Sequence, residues 1–141
     1  MRFLRRLLGH SNSHEPNDFA AFLHRQGAFV AQKTVFDYCH VKVGRNEKEF
    51  FGNPDFSAAL NHCRWQVFLA AQSDVMALAE AWLRPLWPGQ EQILLENLVS
   101  LHAAIMAKEE PPEAEKQAFT ASLTALPGHL AGLQMAPPHS A

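Results

Sequence analysis

The stretch VGRNEKEFFGNPDF, residues 43–56, decides how this 141-residue chain folds. Gly44 can adopt the left-handed conformation that ends a helix, and Asn53 is a good N-cap. Pro54 suits the first helical position, where its missing N–H costs nothing. Between these signals Asn46–Phe51 predicts a short helical turn, with Glu49 three residues past its cap. Upstream, a helix is expected from near Asn17, its N-cap, to Val43. Downstream, a second is expected from the Asn53 cap to about Arg84, just before Pro85. Two long helices with so short a connection should fold back on one another as an antiparallel hairpin.

Working outward, prolines set the remaining boundaries, because proline removes a donor and clashes inside a helix. A third helix is expected over Gly89–Lys108, with Leu94, Leu98, Leu101 and Ile105 at helical spacing. Glu109–Glu113 reads as a polar, proline-broken link. A fourth helix is expected over Pro112–Leu126, striped by Phe119, Leu123 and Leu126 and broken by Pro127-Gly128. The fold class is therefore all-α, an antiparallel helical bundle of about four helices built on a long helical hairpin. Residues 15–135 form the bundle domain, residues 1–14 a basic amphipathic segment and residues 136–141 a disordered tail.

Composition supports one packed domain: hydrophobic residues make up 48% and charged residues 18%, which excludes general disorder. A net charge of −2 argues against nucleic acid as a partner, and two cysteines are too few for a disulfide scaffold. No apolar run reaches the roughly 18 residues of a membrane span, so the expected location is the cytoplasm. The charge is uneven, however. Residues 1–44 hold six basic and three acidic side chains, whereas residues 85–141 hold two basic and six acidic. Such asymmetry suggests that the basic end meets something acidic. Within it, Arg2, Arg5 and Arg6 lie opposite Phe3, Leu4, Leu7 and Leu8 on a helical wheel, the pattern of an interfacial anchor on a membrane surface or partner. A packed N-terminal turn and an Arg-rich targeting peptide would use the same residues.

The first long helix carries a seven-residue repeat. Phe22, Phe29, Phe36 and Val43 form one row, and Gln26, Lys33 and His40 form another about 40° away. The polar row either edges the buried face or reads a polar group from a groove lined by the phenylalanines. Asp37, one turn from Lys33, should pair with it. On the second helix, Arg64 shares a side with Trp65 and Phe68 and needs a carboxylate partner, with Asp37 or Asp74 as candidates, or a route to water. Gly27 marks a close approach of another helix. The row Asp55, His62, Gln66, Ser73, Glu80 and Arg84 reads as a solvent face.

Cys39-His40 and His62-Cys63 fall at similar heights on the hairpin. Adjacent helical residues point about 100° apart, so no metal site is expected and both cysteines read as buried small hydrophobes. His102 reads as a core histidine. No phosphate loop, dinucleotide turn, nucleophile elbow or His-Glu-x-x-His motif is present, which weighs against an enzyme, and no cofactor is expected.

These features favour a non-enzymatic helical interaction protein, an adaptor or assembly factor. Its partner would be another protein met through the aromatic helical face, with the basic N-terminus docking to a membrane surface or acidic partner. Phe50 and Phe51 would form an exposed apolar patch or cap the end of the bundle. The alternative is a ligand- or cofactor-binding bundle, or a small enzyme, with a pocket between the long helices. Phe22, Phe29, Phe36 and Trp65 would line that pocket, and Lys33, Asp37, His40 and Arg64 would supply polar contacts.

Overall fold

The computed structural model describes residues 16–137. Helix α1 spans Pro16–Val43 and ends at Gly44, whose φ of 57° places it in the left-handed region. A 3₁₀ turn at Gly44–Asn46 and the one-turn helix α2, Glu47–Phe51, make the connection. Helix α3 then spans Pro54–Leu83. The Asn53 side chain accepts from the N–H groups of Asp55 at 2.8 Å and Phe56 at 3.3 Å, satisfying two orphan donors of the first turn. Helix α4, Glu91–Met106, and helix α5, Lys116–Gln134, complete the order, with 3₁₀ turns at Arg84–Leu86 and Glu113–Glu115. Four long helices pack against one another, so the all-α bundle built on a hairpin is the observed fold, and the α1–α3 contact is its most extensive.

Boundaries of three helices differ from the sequence reading. Helix α1 starts at Pro16, which places Asn17 inside the first turn instead of at the cap. Helix α4 is shorter than expected at both ends. Helix α5 passes through Pro127 and continues to Gln134. Leu126 and Leu130, on either side of that proline, are both buried, and their burial offsets the roughly 3 kcal/mol that an interior proline costs.

The apolar core falls into two clusters. One gathers Ala20, Leu23, Met76, Leu94, Leu98, Ile105, Leu126 and Leu130 toward the end of the bundle where α1 begins. The other gathers Ala31, Phe68, Leu69 and Met106 nearer the α1–α3 connection. On three helices the step between the clusters is occupied by Gly27, Gln72 and His102. A Cβ placed on Gly27 would lie 2.1 Å from Gln72 Nε2, so the expected close approach is a glycine backbone against a buried amide. Gln72 and His102 are both buried, and the Gln72 amide and His102 Nε2 have no hydrogen-bond partner among the described residues. Burial pushes the His102 imidazole pKa below its usual 6.5, because the charged form is the one that loses hydration.

Candidate functional site

A crevice of about 270 Å³ opens between the two long helices. Small residues on α1, Ala28 and Ala31, face large ones on α3, Trp65 and Phe68, and that size mismatch leaves the space. Trp65 meets Phe68 edge to face at 5.8 Å and Phe119 of α5 at 6.4 Å, which holds the indole in place. Gln32, Asn61, Arg64 and Glu109 supply the polar lining. Glu109 comes from the α4–α5 link and pairs with His24 of α1. At the other end of that link the buried Glu115 carboxylate meets His62 Nδ1 at 2.5 Å and Gln66 Nε2 at 3.0 Å. Two carboxylates thus fasten one strap across both long helices.

Of the residues singled out in the sequence, only Arg64 and Trp65 line this crevice. Arg64 makes no ion pair or side-chain hydrogen bond to any described residue: Asp37 is held instead by Lys33 at 2.6 Å, on an exposed stretch of α1. A cluster of Lys33, Asp37 and Arg64 inside the hairpin therefore does not form. Phe22 packs against the first apolar cluster, Gln26 is half-buried, and Phe29 is 61% exposed. Phe36 and His40 lie farther along, at the closed end of the hairpin. There Phe36 stacks on Phe51 with centroids 6.3 Å apart and rings 6° from parallel. His40 packs on Phe51 at 5.6 Å, and its Nδ1 lies 3.2 Å from Glu47 Oε1. Phe56 meets Phe51 at 5.4 Å and Phe50 at 5.6 Å, and Phe50 stays partly exposed. Arg2, Phe3, Leu4, Arg5 and Arg6 lie outside the described residues.

The sequence reading missed how far the inner line of α3 continues past Met76. Phe68, Gln72, Met76, Glu80 and Arg84 follow one another at four-residue steps, and all five are buried. The wheel pattern puts Glu80 and Arg84 on a solvent face, yet both are interior because α5 packs over them. Arg84 Nε lies 3.0 Å from Glu80 Oε1, without the alignment of a hydrogen bond. Its Nη1 donates to the carbonyls of Gln134 at 3.3 Å and Ala136 at 2.6 Å, tying the end of α5 to α3. A second cavity of about 400 Å³ lies here, lined by Asp74, Ala77, Leu78, Glu80, Leu133 and Ala136 among others. The signal available in the sequence was the four-residue recurrence after Phe68. Cys63 also departs from expectation, being exposed on α3, while Cys39 is half-buried.

No described helix is long and apolar enough to cross a membrane. Among the described residues no group of three or more His, Cys, Asp or Glu side chains is placed to hold a metal ion. No protein-family model matches the chain, and no match was found among curated proteins or solved structures.

Proposed function

We propose that this chain is a helical interaction protein, an adaptor or assembly factor, that receives an apolar helix of a partner protein on the exposed Val30–Val41 stretch of α1. The observation that carries this reading is an uncovered ridge: Val30, Tyr38 and Val41 are exposed, Tyr38 at 62% and Val41 at 81%. At 100° per residue they fall within an arc of about 80°, so they form one surface instead of scattered singles. Lys42 sits 5.7 Å from the Tyr38 ring, leaving a polar edge of the kind that borders interfaces. The aromatic pile at the closed end, Phe36, Phe51 and Phe56, stiffens the hairpin beneath it.

The test is site-specific photo-crosslinking in cells, with the reactive side chain at Val41 or at Ser100 on α4. The reading expects one discrete heterologous adduct from Val41 and none from Ser100. Val41→Asp should abolish that complex while leaving the melting temperature unchanged. An identical adduct pattern from both positions would refute it.

A second reading, a small-ligand protein, is favoured by the unpaired Arg64 guanidinium beside Trp65 in the α1–α3 crevice. It suits a small carboxylate or phosphate carrying an apolar ring. Arg64→Ala would then abolish ligand-induced thermal stabilisation without altering the fold.

A further inference from the structure

We infer that the acidic partner of the basic segment is the chain's own α3–α5 groove: residues 2–8 seat intramolecularly on the surface around Asp74, Leu78 and Trp82. This goes beyond the ridge on α1 and does not depend on it.

Three observations point to the occupant. The first is what the groove lacks. Glu80 lies behind the cavity wall, completely buried, with Arg84 Nε 3.0 Å from its Oε1. Its neighbour Arg84 spends Nη1 on two backbone carbonyls. Asp74, at the mouth, is exposed and makes no ion pair with any described residue. An exposed carboxylate with no cation beside it leaves room for a guanidinium, which supplies paired donors in the geometry a carboxylate prefers.

The second is the apolar surface around the groove. Leu78, Trp82 and Leu86 are exposed at four-residue steps along α3 and the turn that follows it, Leu86 at 71%. On a helical wheel Phe3, Leu4, Leu7 and Leu8 offer a matching apolar face, with Arg2, Arg5 and Arg6 on the opposite side, their long side chains able to reach back toward Asp74 at the rim.

The third is position. Phe19, in the first turn of α1, packs in the same cluster as Leu83 and Leu133, and Leu133 lines the groove. The chain before Pro16 therefore departs from the groove's end of the bundle. The seven residues 9–15 span up to about 25 Å when extended, against 8–10 Å between the axes of packed helices. That length exceeds one helix-to-helix spacing, the step from α1 to the α3 it packs against.

The experiment uses the full chain, purified and dilute, with a photo-crosslinking side chain in place of Phe3. The expected result is an intrachain adduct within residues 74–86. Asp74→Lys, an exposed change that leaves the core intact, should lower its yield roughly fivefold, about one ion pair's worth. Arg5→Glu with Arg6→Glu in the Asp74→Lys background should restore it. Adducts on another face, adducts only between molecules, or a yield insensitive to both charge changes would overturn the inference. So would full-length protein binding phosphatidylcholine–phosphatidylglycerol vesicles as tightly as a free peptide of residues 1–15, since a seated segment must first be released.

Discussion

Gly27 shows how one missing methyl group sets a helix contact. In isolation, alanine there would favour the helix by about 1 kcal/mol. In the bundle its Cβ would lie 2.1 Å from the Gln72 amide nitrogen and 2.9 Å from the Gln72 Cδ, and Gln72 is fully buried. Gly27→Ala should therefore destabilise the protein, by about 1–3 kcal/mol in urea unfolding. Adding Gln72→Ala should recover part of that loss, so the double variant would be less destabilised than the two single effects summed. His102 makes a second residue-scale prediction. Its pKa is lowered in the folded state by burial, so below pH 6.5 the unfolded chain binds more protons than the native one. The His102 contribution is thus fully present above pH 6.5 and is lost as pH falls below it. Unfolding free energies compared at pH 7.5 and 5.5 should show it as a loss that His102→Leu lacks.

At the scale of elements, caps and stripes compete with propensity. Asn53 behaves as its chemistry dictates, accepting two N–H groups at the start of α3. Pro127 does not. A proline followed by glycine reads as a stop, yet α5 runs on because Leu126 and Leu130 are both anchored in the first apolar cluster. Helix formation inside a protein is set more by what a face can bury than by local preference. Pro127→Ala should then restore a missing backbone hydrogen bond and raise stability, by up to about 3 kcal/mol, read as an increase in melting temperature. A fall in melting temperature would mean that the ring's own packing outweighs the backbone.

For the whole molecule, the α4–α5 link acts as a strap. Glu109 and Glu115, on either side of two prolines, grip His24 on α1 and His62 and Gln66 on α3. Glu115 is the buried end, so its hydrogen bonds are shielded from screening more than a surface pair would be. Glu115→Ala should cost about 1–2 kcal/mol and speed amide exchange in the first turn of α5, while exchange at the closed end of the hairpin stays unchanged.

Local chemistry carried the architecture. Gly44, Asn53 and Pro54 mark where two long helices stop and start, and the leucine spacing of α4 marks its buried face. Those signals are short-ranged, acting within one or two turns, and so they are visible in one dimension. Which polar side chains meet was decided by tertiary packing. Lys33 and Asp37 found each other within one helix, as a four-residue spacing dictates, and that left Arg64 alone at the mouth of a crevice. Glu80 and Arg84 are inside because α5 lies over them; the four-residue recurrence after Phe68 continues the inner line, but it does not say that a helix some forty residues away covers its end. Burial of a polar group depends on the neighbour that covers it, and only the assembled bundle supplies that neighbour.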